Sequence, residues 1–296
     1  MSDEIVFAKI SQRQRANLLS SSGELTILFW NAGRADKRHV VCALAEETGA
    51  QIIITVEHRV QAGLVLADLK SKVARGFVDA GASGNGRAQV FCKDKALGAA
   101  EIHNGDRVTV RKVVYGRRPF LLSVVHGLDV RNNDEHVRSE AAMAIAEDVR
   151  FARSRNEPQT RGSIIIGDFN MNPFDRPMNS FGGFNAMMTR SCASRGPRVR
   201  GEASRDLYYN PMWQLFGREP PNASGTIYDT SNVGPYGWSM FDQALINSEL
   251  LEQFVGVEIL TRCESLQIST QLGRPRTASL SDHFPIVLRI RGCNDD

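Results

Sequence analysis

No uninterrupted apolar run in the 296-residue chain approaches the roughly 20 residues needed to cross a bilayer, so no membrane-spanning helix is expected. Cysteine is scarce. The five that occur, Cys42, Cys92, Cys192, Cys263 and Cys293, are odd in number and widely spaced. Such a set fits neither a disulfide framework nor a zinc site. Reduced, structural thiols in a cytoplasmic protein are the expectation. The opening Met1-Ser2-Asp3-Glu4 is acidic and lacks the basic-then-apolar pattern of a signal peptide. Internal repeats and low-complexity segments are also missing. A large excess of one charge is missing too: the net charge is only +3, which does not choose between a polyanion and a small molecule as partner.

What the chain does contain is core material, with 42% apolar residues, enough for a sizeable globular interior. The most telling stretch is Ile164-Ile165-Ile166-Gly167-Asp168-Phe169-Asn170. Three β-branched aliphatics in a row read as a strand buried on both faces. The glycine is expected to let the backbone turn. If the chain stays extended, Asp168 and Asn170 emerge on the same side, where α/β proteins commonly place their chemistry. An Asx turn closing an ordinary strand explains the same residues.

Other strands end in the same manner. Leu25 to Asn31 ends in an amide, Ile52 to Glu57 in a carboxylate, and Phe120 to His126 in an imidazole. Trp238 to Ile246 carries Asp242 inside an apolar stretch, and Ser281-Asp282-His283 precedes the strand Pro285 to Ile290. Each strand must stop at something polar, so any one of them is unremarkable. Several acids gathered at one end of a sheet are a different matter, because a buried carboxylate is costly unless paired or bound to a cation.

Between these motifs the spacing predicts helices over 36–49, 60–73 and 133–155 and strands over 88–92 and 107–114. Val40, Val41, Leu44 and Ala45 mark the inner face of the first helix, and Gly49 its C-terminal stop. Leu64, Leu66 and Leu69 mark the second; Ala141, Ala142, Ile145, Ala146 and Val149 mark the third. The motifs run from residue 31 to residue 283, so no cut leaves a complete set on either side. One domain over 1–296 is expected, with an N-terminal extension at 1–24 and an insertion with a basic loop at 185–235.

The ordered set Asn31, Glu57, His126, Gly167-Asp168-Phe169-Asn170, Asp242 and Ser281-Asp282-His283 resembles the endonuclease/exonuclease/phosphatase superfamily. The likeness covers roughly residues 25–291. It implies an α/β four-layer sandwich of two packed mixed β-sheets flanked by helices. It implies a divalent-metal-dependent phosphodiesterase, with Mg²⁺, or Mn²⁺ in its place, as the cofactor. A nuclease acting on DNA or RNA is the first reading. A phosphatase or phosphodiesterase for a small phosphoester (an inositol phosphate, a nucleotide or a lipid head group) is the second. A catalytically inactive scaffold of the same fold is the third.

The resemblance also distributes roles. Glu57 is the first choice for metal contact, with Asn31 and Asp282 close by. Asp168 and Asn170 orient the attacking water and the scissile phosphate. His283 is kept protonated by Asp242, and His126 is a second phosphate contact or an acid toward the leaving oxygen. Arg59, two residues after Glu57, matches a phosphate-contacting position of pancreatic-type relatives. Two departures stand out: position 33 is Gly where several abasic-site enzymes carry an acid, and the segment 84–91 lacks the second glutamate of the pancreatic deoxyribonucleases. Arg87 in that segment is a candidate phosphate contact.

Between Thr189 and Arg205 lie five arginines (Arg190, Arg195, Arg198, Arg200 and Arg205), balanced only by Glu202. A solvated loop explains them. A contact surface for nucleic acid, through Arg195, Arg198 and Arg200, is the functional alternative. Tyr208-Tyr209-Asn210-Pro211-Met212-Trp213 follows, either to stack a base or to pack on the body.

Overall fold

A computed structural model describes residues 23–84, 86–94, 97, 100–115, 119–156, 159–229 and 237–292. Residues 1–22 of the expected N-terminal extension and Cys293 lie outside the described residues. In chain order the first half contains β1 (Glu24–Asn31), α1 (Arg38–Thr48), β2 (Ile52–Val56), α2 (Ala62–Lys72), β3 (Val78–Ala82), β4 (Ala88–Cys92), β5 (Ala100–Asn104), β6 (Val108–Val113), β7 (Phe120–His126) and α3 (Glu135–Asn156). The second half opens with β8 (Ser163–Asp168), α4 (Arg176–Asn179), β9 (Ala186–Met187), α5 (Arg190–Ala193), β10 (Arg198–Arg200), β11 (Ala203–Arg205) and β12 (Tyr208–Tyr209). It closes with β13 (Ile227–Tyr228), β14 (Trp238–Ser239), β15 (Asp242–Asn247), β16 (Phe254–Ile259) and β17 (Ile286–Arg291).

Two mixed sheets result, ordered β16-β17-β1-β2-β4-β3 and β5-β6-β7-β8-β15-β12-β9. Each is built round a parallel pair, β1 with β2 and β7 with β8, and antiparallel neighbours flank both pairs. Period-two alternation sorts the side chains into layers. Leu25, Ile27 and Phe29 of β1 join Ile52, Ile54, Val124, Ile164, Ile166, Ala244, Ile286 and Leu288 in a core between the sheets. Leu28, Trp30 and Ile53 point the other way, onto Val40, Val41, Leu44 and Ala45 of α1 and Val65 and Leu69 of α2. Val125, Ile165 and Leu245 face Ala142, Ile145, Ala146 and Val149 of α3. This is the four-layer α/β sandwich, and the three isoleucines are buried on both faces as expected. Complete burial of one such side chain contributes about 1.5–3 kcal/mol.

Several local readings are corrected. Leu64 is 47% exposed, and Val65 takes its place under α2. The stretch 238–246 is not one strand. Trp238–Ser239 pairs with Ile227–Tyr228, and a new strand starts at Asp242. Gly167 does not turn the chain: a Cβ there would lie 2.0 Å from the Val125 carbonyl oxygen, so the glycine permits β8 to approach β7. Residues 186–187 and 208–209, inside the segment read as an insertion, form the outer strands β9 and β12 of the larger sheet. Tyr208 and Tyr209 are buried there, and the Tyr208 hydroxyl lies 2.7 Å from Ser163 Oγ, so these two tyrosines pack on the body instead of offering a base-stacking face. The four described cysteines carry no disulfide, and no helix among the described residues is long and apolar enough to cross a membrane.

Candidate active site

Strand direction explains which end of each strand carries chemistry. The parallel strands β1, β2, β7 and β8 deliver Asn31, Glu57, His126 and Asp168 from their C-terminal ends. The antiparallel partners β15 and β17 run the other way, so they deliver Asp242 and His283 from or just before their starts. In the β8–β15 ladder Asp242 sits directly opposite Asp168. Six residues separated by up to 252 positions therefore meet at one rim of the sandwich.

Hydrogen bonds tie them together. Asn31 Nδ2 donates to Asp168 Oδ2 at 2.9 Å and, more weakly, to Glu57 Oε1 at 3.4 Å. His126 Nε2 lies 3.2 Å from the same Glu57 oxygen. Across the site His283 Nδ1 lies 2.7 Å from Asp242 Oδ2, and its Nε2 lies 3.9 Å from Asp168 Oδ2. Asp168, Asp242, His126 and His283 are buried, while Glu57 is half-buried.

The electrostatics differ on the two sides. Burial pulls the His283 imidazole down, but the carboxylates of Asp242 and Asp168 outweigh it and push it up to about 10. His283 is thus an imidazolium at neutral pH. Burial pushes the Asp242 carboxyl up against the opposing pull of that cation. Glu57 is the reverse case: its bond with His126 outweighs burial and holds the carboxyl down at about 2.

Could a cation sit here? Glu57, His126 and Asp168 present ligand atoms within 4.8 Å of one another, and so do Asp168, Asp242 and His283. The second trio already contains the His283 cation, which offsets one carboxylate and occupies the ring nitrogen that faces Asp242. The first trio pairs an ionised Glu57 with Asp168, and two carboxylates share the single amide donor of Asn31. Carboxylate oxygens in this number suit a hard divalent ion such as Mg²⁺. The donor set fits on the Glu57 side.

The backbone contributes to the geometry. Glu57 has φ 59° and Asn170 φ 51°, both in the left-handed region. For a glutamate this costs roughly 1–2 kcal/mol, and the Glu57 N–H is anchored on the Arg87 carbonyl at 2.9 Å. Asn170 does not continue the strand: its N–H donates to Asp168 Oδ1 at 2.9 Å, so the Asx turn is present and both side chains still line the cleft.

The cleft above these residues has a volume of about 600 Å³. Arg34, Arg59, Arg87 and Arg131 line it together with His58, Asp129 and Asp282. Arg59 and Arg87 thus line the same cleft as Glu57 and Asp168. Asp282 also lines the cleft, 3.7 Å from Arg131. Arg195, Arg198 and Arg200 do not line it. Arg198 NH1 instead donates to the Asn179 carbonyl and to Asn185 Oδ1, and Arg200 lies over the Phe181 ring.

Two further placements show how the side chains of Asn31 and His126 are turned. Asn31 turns its NH₂, not its oxygen, to the acids, because Oδ1 accepts the Gly33 N–H at 3.1 Å. The second lone pair of that oxygen is not used by the Gly33 bond. His126 lines the cleft with Nε2 3.2 Å from Glu57 Oε1, while its Nδ1 is buried without a hydrogen-bond partner, so in this structure the ring braces the acid.

Two supporting residues were given no role from sequence. Ser281 Oγ donates to the Asn31 carbonyl at 2.7 Å and accepts the His283 N–H at 3.1 Å, joining β1 to the loop before β17. Thr226 is fully buried, and its Oγ1 accepts the Asp242 N–H at 3.1 Å. Ser281 could have been noticed beside Asp282-His283; Thr226, 16 positions before Asp242, gave no local signal.

No family model matches the chain, and no curated protein matches it by sequence. Solved structures do. An endonuclease/exonuclease/phosphatase family protein of Bacteroides thetaiotaomicron is 13% identical with a TM-score of 0.57, covering 92% of this chain and 96% of that one. An AP endonuclease of Leishmania major is 13% identical with a TM-score of 0.57, covering 93% and 89%. D. rerio TDP2 complexed with single strand DNA product is 14% identical with a TM-score of 0.52, covering 90% and 99%. Likeness over nearly the whole length at so low an identity speaks to architecture. The chain has the endonuclease/exonuclease/phosphatase fold.

Proposed function

We propose that the chain is a divalent-metal-dependent phosphoester hydrolase, and that its substrate is the backbone of a nucleic acid. One observation carries this reading: a buried imidazolium, His283, lies beside Asp168 and across from an ionised Glu57 on the floor of an arginine-rimmed cleft. Phosphoester cleavage requires cationic groups round the phosphate and acceptors for a water proton, side by side. The solved structure of D. rerio TDP2 with single strand DNA product supports nucleic acid as the class.

Glu57, with Asp168 beside it and Asp282 lining the same cleft, would hold a Mg²⁺ or Mn²⁺ ion. A bound divalent ion neutralises phosphate charge and draws electrons from the phosphoryl oxygens. Water adds to phosphorus, the ester P–O bond opposite it breaks, and the departing oxygen takes up a proton. Asp168 and Asn170 orient the water from the β8 side. His283 donates through Nε2 to a phosphoryl oxygen, and Asp242 keeps the ring charged and turned. His126 and Asn31 fix the Glu57 and Asp168 carboxylates. Arg59 and Arg87 meet the flanking phosphates of the substrate, and Arg195, Arg198 and Arg200 would extend that contact outside the cleft.

The position of those last three arginines favours a second reading. Because they stand away from the cleft, the cleft arginines alone suffice for a small phosphoester. A panel of plasmid, single-stranded DNA, RNA, abasic duplex and small phosphate esters, each with Mg²⁺ and with EDTA, separates the two. Polynucleotide cleavage should fall steeply with salt, whereas turnover of a small ester should not. No turnover of any member with Mg²⁺ present would refute both.

A further inference from the structure

Asn170 lies where the chain leaves β8, and its left-handed backbone is not held by any strand ladder. Two side chains from distant elements take its outward carbonyls. Arg138 of α3 donates from NH1 to the Asn170 oxygen at 2.9 Å. Gln243 of β15 donates from Nε2 to the next carbonyl, that of Met171, at 2.6 Å. Gln243 is itself fixed, since its Oε1 accepts from Asn210 Nδ2 at 2.7 Å and Asn210 Oδ1 accepts the Met212 N–H at 3.0 Å. Gln243 and Asn210 are completely buried, so neither can exchange these partners for water.

We infer that Arg138 and Gln243 are positioning residues that clamp the Asn170–Met171 backbone and thereby hold the Asn170 side chain at the cleft. The role in turnover rests on the hydrolase reading above; the clamp itself does not. Asparagine tolerates the left-handed region better than most residues, but the extended region remains lower in energy when nothing opposes it. Release of the two carbonyls lets the chain relax toward extension, which breaks the Asn170 N–H bond to Asp168 and swings the side chain off the cleft floor. Gln243 also adjoins Asp242, so the relay from residues 210–212 braces both acids of the β8–β15 pair.

Hydrogen exchange in the full-length, metal-free protein tests the clamp without reference to activity. Arg138→Met should speed exchange in a peptide covering 168–172 by about tenfold or more, leave 164–166 protected, and be rescued by Arg138→Lys, which keeps a donor. Gln243→Met, close in volume but without the donor, should do the same. Unchanged exchange in Arg138→Met overturns the inference, whatever the activity. For turnover, Arg138→Met should lower kcat about tenfold with little change in KM, and should cost nothing further in an Asn170→Ala background. An equal loss in both backgrounds would show a general structural role and overturn the assignment to Asn170. If the unaltered protein cleaves no phosphoester, the hydrolase reading falls, and exchange alone decides the clamp.

Discussion

The carboxylate of Asp242 holds His283 Nδ1 at 2.7 Å, while its own backbone stands opposite Asp168 in the β8–β15 ladder. One strand register therefore fixes both the base of the imidazolium and the acid it faces. Asp242→Asn keeps the shape and removes the charge. It should lower kcat by about 100-fold or more, comparable with His283→Ala. If the two act as a unit, the double variant should be no worse than the poorer single one. Additive losses in kcat would separate the residues.

The raised pKa of His283 has a defined sign. Its contribution to stability is complete below the ordinary histidine value of 6.5 and is lost as pH rises through about 10. The metal-free protein should therefore lose Tm between pH 7 and pH 10, and His283→Gln should lose less over the same interval. Glu57, held near 2, works in the opposite direction: its contribution is present above the ordinary value of 4.5 and fades as pH falls toward 2. Parallel pH profiles for wild type and His283→Gln would contradict a charged His283.

Gly167 is the tightest steric point next to the site. An added Cβ would meet the Val125 carbonyl at 2.0 Å, on a backbone that cannot yield without breaking the β7–β8 ladder. Gly167→Ala should cost about 3 kcal/mol or more in urea unfolding. A cost below about 1 kcal/mol would mean that the strands are free to part.

The basic hairpin makes a separate prediction. Arg195 and Arg200 are exposed, whereas Arg198 is tied to Asn179 and Asn185. Replacing Arg195 and Arg200 by serine should weaken nucleic-acid binding and flatten its salt slope by about one to two units in log–log form, with no loss of fold. An unchanged slope would leave them as solvated surface and favour the small-ester reading.

Much of the rim was legible because buried strands must end in something polar, and Asn31, Glu57, His126 and Asp168 each end one. Helix α1 was legible from its apolar stripe and from Gly49, which caps it at φ 65°. Strands β3 and β5 were not, because edge strands such as Val-Asp-Ala-Gly-Ala are held by backbone pairing and need no apolar alternation. The division of 238–246 was hidden because Met240 and Phe241 are apolar but carry the chain between two pairings. Thr226 and Gln243 were hidden for a deeper reason: their partners are 16 and 72 positions away, and only the folded sheets bring them near.

The most direct measurement is the rate of phosphodiester cleavage as a function of Mg²⁺ concentration, for the wild-type protein and for Glu57→Gln. Wild type should show a saturable requirement for the ion, reversed by EDTA. Glu57→Gln should need far more Mg²⁺ or fall by about 100-fold or more at saturation, with its Tm retained. Cleavage that persists in EDTA, or identical Mg²⁺ curves for the two proteins, would contradict the claim that Glu57 and Asp168 are brought together to hold a cation.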